Sequence, residues 1–215
     1  IFRTAIPPAA KPRISSRIFM SKVLIIDGGA KWHGTGGTLT HSFVELATDV
    51  LNSFGHQVTV TTVDREFSVD EEVEKIIDAD SIILQFPAWW MNPPWQVKRY
   101  QDEVFLDPRI NGGDGRTRSD ATQLYERGGV CVSKTYMLSS TWNAPKEAFD
   151  DPLQFFEGKG IDAVLMPVHK TFQFLRMRPL PSFMANDVLK NPQIAEDMQR
   201  FKEHLNRYFG ASHHC

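Results

Sequence analysis

The chain has 215 residues, 41% of them apolar, a formal charge of −2 and two cysteines, Cys131 and Cys215. That length supports one well-buried domain rather than two, and the near-neutral balance lacks the long-range attraction that nucleic acid or an anionic membrane requires. No apolar run approaches the roughly 20 residues of a spanning helix, and two cysteines build neither a disulfide framework nor a thiolate metal site, which suits a soluble protein of a reducing compartment with small partners.

Residues 1–20 are expected outside the fold. The first nineteen carry Arg3, Lys11, Arg13 and Arg17, three prolines and no acidic residue. They read either as an organelle transit segment or as sequence upstream of a start at Met20, so the expected location is cytoplasmic in the second case and organellar in the first. From Ser21 the chain alternates short apolar runs with amphipathic ones, the pattern of parallel strands joined by helices. "KVLIID" predicts a buried strand. "TLTHSFVELATDVLNSFG" places Leu39, Phe43, Leu46, Ala47, Val50, Leu51 and Phe54 on one helical face and ends at Gly55, a C-cap residue. "HQVTVTTV" is β-branched and strand-like. "SVDEEVEKIIDA" predicts a helix with Ser68 as N-cap and Glu71 at capping-box spacing. "SIILQF" is the third strand, and "PWQVKRYQDEVF" a helix with Val97, Tyr100, Val104 and Phe105 on one side and Pro94 near its first turn. "KTYMLSST" predicts the fourth strand, "DAVLMPV" (162–168) the fifth, and "NPQIAEDMQRFKEHLNRYFG" the closing helix. The whole predicts a flavodoxin-like α/β fold, a doubly wound five-stranded parallel sheet with helices on both faces, spanning 21–210, with 211–215 a tail outside it.

Two connections are longer than the topology needs, the polar Gly-rich 106–128 and the Phe- and Pro-rich chain within 145–182. In an open parallel sheet a ligand lies beyond the carboxyl ends of the strands. The loops after Asp27, Phe86 and Thr141 therefore carry the candidate site. The first, "DGGAKWHGTGGTLT", brings glycines 34, 36 and 37 and threonines 35, 38 and 40 to a helix N-terminus, where unpaired N–H groups and hydroxyls suit a phosphate; alternatively it is a tight strand-to-helix turn capped by threonine. It is neither a G-x-G-x-x-G nor a Walker A sequence. The second, "PAWWMNPPW", offers rigid indoles as a wall for a flat ring, or packs as core or subunit interface. The third, "LSSTWNAPKEAF", predicts a helix beginning at Pro145 whose positive end would face the same crevice. Trp89, Trp90, Trp95, Trp142, Phe172, Phe174 and Phe183 are more aromatic surface than one flat ligand can cover, so a C2 dimer or a core beneath the long loops must take the remainder.

The stretches "PAWWMNPPWQVKRYQDEVF", "DGRTR", "YMLSSTWNAP" and "HKTFQFLRMRPLPSFMANDV" resemble the NAD(P)H quinone reductases called modulator of drug activity B, within the flavodoxin-like quinone reductase superfamily. The resemblance runs from about Ser21 to Gly210. It implies a homodimeric flavoprotein with FAD rather than FMN, taking hydride from NADPH at flavin N5 and passing it to a quinone by a ping-pong mechanism, with no metal. It also implies that Thr35, Gly36, Gly37, Thr38, Leu39 and Thr40 meet the FAD phosphates and ribityl chain, that Ala88, Trp89, Trp90 and Met91 with Thr141, Trp142, Asn143 and Ala144 bracket the isoalloxazine, and that Tyr125 joins from the Gly-rich insertion. "GTGGTLT" departs from the Ser-Asn-Gly-Gln-Leu-Asn type of loop. His169 is a candidate to polarise the quinone or donate its proton, or else a structural histidine. Arg116, Arg118, Arg176 and Arg178 are candidates for a 2′-phosphate, or simply solvated. The rivals are a flavodoxin-type electron carrier, which −2 disfavours because such carriers are strongly acidic, and a non-enzymatic flavodoxin-fold regulator, for which Asp27 lacks a neighbouring acidic pair.

Overall fold

Runs of buried β-branched residues separated by amphipathic helices fold into a parallel sheet here. The structure is a computed structural model that describes residues 20–31, 34 and 36–210. The expectations for the leader at 1–19 and the tail at 211–215 fall outside those residues. β1 (Lys22–Asp27) lies between β2 (Gln57–Thr62) and β3 (Ser81–Pro87), and β4 (Thr135–Thr141) follows β3. Two short strands, β5 (Arg178–Pro179) and β6 (Phe183–Ala185), pair with the amino and carboxyl ends of β4. The order is β2-β1-β3-β4-β5 with β6 beside β4, and every strand pairing is parallel. The doubly wound sheet predicted from the sequence is present, with one strand more.

Because successive strand residues point to opposite faces, each face has its own core. Val23, Ile25, Ile83 and Met137 pack under α1 (Thr38–Ser53) and α7 (Ile194–Phe209) with Phe43, Leu51, Phe201 and Leu205. Leu24, Ile26, Ile82, Leu84 and Leu138 pack under α2 (Val69–Asp78), α3 (Trp95–Val104) and α6 (Met166–Phe174) with Val73, Ile76, Val97, Tyr100 and Phe172. Each such fully buried side chain stabilises the fold by roughly 1.5–3 kcal/mol relative to exposure. β2 is the edge strand and is mostly exposed, but its Thr61 hydroxyl donates to the buried Glu72 carboxylate of α2 at 2.8 Å. Tyr100 of α3 donates to the same carboxylate at 3.1 Å and Lys75 at 2.5 Å, so one buried acid ties β2, α2 and α3 together.

Three local expectations are corrected. The run 162–168 is not a strand. It belongs to α5 (Gly160–Val164) and α6, and the sheet is completed instead by β5 and β6. The reason is visible in the continuation of the run: Leu165, Val168, His169 and Phe172 are buried at i, i+3, i+4 and i+7, a helical stripe, and Pro167 sits in the first turn of α6 where a missing N–H costs nothing. The capping box at 68–71 also does not close. Ser68 is the N-cap with extended backbone, yet its hydroxyl makes no capping hydrogen bond and Glu71 is exposed. Finally, the helix expected from Pro145 is the single turn α4 (Glu147–Asp150), too short to carry a useful dipole.

Candidate functional site

The carboxyl ends of β1, β3 and β4 are fastened to one another by main-chain hydrogen bonds. Gly28 N–H donates to Gln85 O at 2.8 Å, Ala88 N–H to Thr141 O at 2.9 Å, and Trp142 N–H to Ala185 O at 2.9 Å. Residues 186–188 then grip the loop after β4, with Asn186 Nδ2 and Asp187 N–H both donating to Ala144 O at 3.2 Å and Val188 N–H to Trp142 O at 3.1 Å. All three loops singled out in the sequence therefore meet at one end of the sheet.

At the first loop, Gly37 is the N-cap of α1 in left-handed conformation (φ 69°), and the first helical hydrogen bond runs from His41 N–H to Gly37 O at 3.0 Å. The N–H groups of Thr38, Leu39 and Thr40 precede that bond, and the first turn holds no acidic residue. Thr38 is exposed and Thr40 buried, Gly36 is exposed, and Thr35 lies outside the described residues. At the second loop, Trp89 N–H donates to Asn92 O (2.8 Å) and Asn92 N–H returns to Trp89 O (3.1 Å), closing a two-residue turn. Its central residues, Trp90 (φ 51°) and Met91 (φ 61°), both have left-handed backbone, and the Trp90 indole is 89% exposed. Ala88 and Trp89 are half-buried beside it. At the third loop, Thr141 is buried, Asn143 exposed and Ala144 half-buried. The Trp142 indole is not a wall of the crevice. It packs edge-on against Phe149 (4.9 Å) and Phe156 (6.1 Å), and its Nε1–H donates to Ser140 Oγ at 2.8 Å, so only its main chain reaches the crevice rim. Phe172 and Phe183 are likewise core, which leaves Trp90 and Trp95 as the exposed indoles among the aromatics suspected of exceeding one ligand.

Two candidates are placed elsewhere. Tyr125, 60% exposed, packs at a tilt against Phe174 (5.5 Å) and under Arg116 (5.4 Å), and lines a pocket of about 810 Å³ between the later half of α3, the 106–128 loop and α6. His169 bonds through Nδ1 to the hydroxyl of Tyr136 at 2.8 Å, and Tyr136 is the second residue of β4, at the opposite end of the sheet from Thr141. Its Nε2 faces Asp162 Oδ1 at 3.2 Å, a contact that holds the Asp162 carboxyl below the usual carboxylate range. Arg116 is engaged by Asp114 (2.7 Å), and Arg178 stands beside Thr135 at the amino end of β4.

Side chains that sequence reasoning passed over supply the polar interior of the site. Asp27, buried at the end of β1, accepts the Gly29 N–H on Oδ1 (2.9 Å) and bonds His41 Nδ1 through Oδ2 (2.6 Å). Gln85 and Ser139 lie in register with Asp27 across β1, β3 and β4, on the face covered by α1. Gln85 is 1% exposed, and neither its amide atoms nor Ser139 Oγ finds a hydrogen-bond partner among the described residues. A buried polar row whose Gln85 and Ser139 are unpaired, a helix N-terminus, a rim of main-chain groups and exposed indole fit a flat ligand with polar and anionic parts better than an apolar one. No short-range motif advertises this row, since its members are 14 to 112 residues from one another and from His41 and come together only through the fold.

Residues 21–208 match the profile of the flavodoxin-like fold family. The chain belongs to that family. It is 43% identical over 193 residues to an uncharacterized protein of Schizosaccharomyces pombe, covering 89% of this chain and 98% of that one. It is 41% identical over 190 residues to the NADPH:quinone oxidoreductase MdaB of Haemophilus influenzae, covering 87% and 99%. Among solved structures, a candidate quinone reductase from Klebsiella pneumoniae superposes with a TM-score of 0.71 at 22% identity, covering 86% of this chain and 84% of that one. The general stress protein 14 of Treponema denticola, in complex with FMN, superposes at 0.57 with 19% identity, covering 86% and 95%. The resemblance read from the tryptophan-rich and "YMLSSTWNAP" motifs is borne out at the level of the family.

Proposed function

We propose that the chain is an FAD-dependent NAD(P)H:quinone oxidoreductase that works as a homodimer with NADPH as donor. One observation carries the reading: three loops converge at the carboxyl end of the sheet around an acid-free helix N-terminus, in a chain nearly coextensive with a quinone oxidoreductase of the same family. Gly36, Gly37, Thr38, Leu39 and Thr40, with Thr35, bind the phosphates and ribityl chain through N–H groups and hydroxyls. The main chain at Ala88–Met91 and Thr141–Ala144 orients the polar edge of the ring, and the indoles of Trp89 and Trp90 exclude water from its face. When bound, the flavin would supply the two-electron hydride chemistry between NADPH and a quinone. His169 has no part in this scheme, being held at the other end of β4. Tyr125 projects from its own subunit's α3–α6 pocket toward solvent and would complete the crevice of a second copy.

FMN is the second reading, favoured by a loop richer in glycine and threonine than the Ser-Asn-Gly-Gln-Leu-Asn type. Denaturing the purified protein and identifying the released flavin by chromatography separates the two. Anaerobic titration with NADPH and steady-state kinetics test the rest. Parallel double-reciprocal lines are expected for NADPH against a benzoquinone, because donor and acceptor would occupy one surface in turn. Intersecting lines refute the shared surface, and a protein without flavin or NADPH-dependent quinone reduction refutes the reading as a whole.

A further inference from the structure

We propose that His41 is a positioning residue for the phosphate end of the flavin, an inference that rests on the reading above. Its imidazole fills the gap between the two hinges of the β1–α1 loop. A β-carbon placed on Gly29 would stand 2.7 Å from His41 Cε1 and 2.9 Å from Nδ1, and one on Gly37 would stand 2.9 Å from Nε2. The ring is thus the nearest neighbour at both hinges, ahead of Asp27 Oδ1 (3.0 Å) at Gly29 and of Ala30 N and Gly29 C (both 3.1 Å) at Gly37. Asp27 fixes the ring from below. Its carboxylate accepts from Nδ1 on one oxygen and from the Gly29 N–H on the other, so ring and hinge are oriented by a single buried acid. The imidazole in turn supports Gly37, whose left-handed backbone aims the N–H groups of Thr38, Leu39 and Thr40 outward. His41 also screens a second problem. A carboxylate beneath an anion site repels the anion, and the ring is the group bonded to the carboxylate oxygen that does not face Gly29. His41 thus acts through the loop, and the group it serves is the phosphate rather than the ring of the ligand.

The test compares ligands that differ only in phosphate. Full-length protein freed of flavin is titrated with FAD, FMN and riboflavin by fluorescence, alongside a thermal melt. In His41→Ala, FAD and FMN should bind about tenfold or more weakly, since a loosened loop must be ordered on binding, while riboflavin affinity stays within about twofold. Gly29→Ala should shift the same ratio by pushing the ring aside. The Gly29→Ala/His41→Ala double variant should lose less than the sum of the two single variants, because the methyl's two closest contacts, both with the ring, are gone and only that with Asp27 Oδ1 at 3.0 Å remains. If His41→Ala fails to fold, His41→Gln and Asp27→Asn keep most of the volume and are read by the same ratio. Equal losses for riboflavin and FMN, or strictly additive losses in the double variant, overturn the proposal. Wild-type protein that binds flavin while every variant binds it as tightly overturns this inference alone. Wild-type protein that binds no flavin overturns the quinone-reductase reading, and this inference with it.

Discussion

Replacing Trp90 should separate stability from activity. Trp90 and Met91 form the left-handed centre of the Trp89–Asn92 turn, a conformation costing a residue with a β-carbon roughly 1–2 kcal/mol. With its indole 89% exposed, Trp90 recovers almost none of that through packing in its own fold. Trp90→Gly relieves the backbone but gives the unfolded chain extra freedom worth about 0.5–1 kcal/mol, so stability should stay level or rise by up to about 1 kcal/mol. Trp90→Asn, which tolerates the left-handed region with less freedom when unfolded, should do at least as well. Activity should move the other way. An indole buries about 150–250 Å² when covered, and covering half of it against a bound ring or a partner subunit is worth roughly 2–3 kcal/mol. Losing that from the transition state lowers kcat/KM on the order of a hundredfold. Urea midpoints and NADPH-dependent benzoquinone reduction, measured on the same preparations, check both halves. A variant destabilised by more than about 1 kcal/mol would mean that the indole packs into the fold, and one with full activity would remove Trp90 from the site.

Other outcomes follow from the buried polar groups and the assembly. Glu72→Ala strips a shared acceptor from Thr61, Tyr100 and Lys75 and should cost about 3–5 kcal/mol in urea unfolding; a loss under about 1 kcal/mol refutes the network as a tie between β2, α2 and α3. Burial pushes the Tyr136 phenol up to about 12 from 10, so the unfolded chain releases that proton first and stability falls as pH rises through this window. Tyr136→Phe should flatten, though not abolish, the alkaline limb, since burial also raises Tyr100, and should cost about 1 kcal/mol near neutrality for the lost bond to His169; an unchanged alkaline slope refutes it. Dilution should lower activity per chain if Tyr125 completes a second copy's crevice, and a fully active monomer in analytical ultracentrifugation at assay concentration excludes that arrangement.

The parts legible in the sequence were those with local causes. β1, β3 and β4 announce themselves by short continuous apolar runs buried on both faces, and α1 by its one-sided helical stripe, and the crossing of the chain back and forth over the sheet then brings the three loops together. What failed depended on competition between local patterns. "DAVLMPV" has the length and apolarity of a strand, and only its continuation to Phe172 shows the 3.6-residue stripe that wins. The strands that close the sheet, "RP" and "FMA", are too short and too close to Pro179 and Pro181 to register as strands at all. Trp142 was indistinguishable from Trp90 in the sequence, because both follow an apolar strand in an aromatic, proline-rich context. One is held in the core by Phe149 and Ser140 and the other stands in solvent. Gly37 was read as clearance for an anion, and its neighbour proves to be the His41 ring, which no spacing rule connects to Asp27.

Both ends of the sheet combine main-chain with side-chain bonds, and which kind holds a loop bears on how the crevice can vary. At the amino end, side-chain pairs, Tyr136 with His169, His169 with Asp162 and Ser81 with Thr135, accompany main-chain bonds such as Asp80 N–H to Lys22 O and Thr135 N–H to Asp80 O. A substitution in such a pair removes a partner. At the carboxyl end, beside the side-chain bonds of Asp27 with His41 and Trp142 with Ser140, the loops are fastened main chain to main chain through Gly28, Ala88, Trp142 and Val188. Such bonds survive most changes of side chain, so the frame can persist while the residues that it displays diverge. The exceptions are positions where the main chain itself is crowded. A β-carbon on Gly28 would stand 2.8 Å from Val97 Cγ2, 2.9 Å from Phe86 Cβ and 3.0 Å from Gln85 O, which would drive the end of β1 away from β3 and α3. Conformation at a few glycines and at the Trp90–Met91 turn therefore constrains the crevice together with the Asp27–His41 pair, as expected of a site whose protein groups mainly bind and orient.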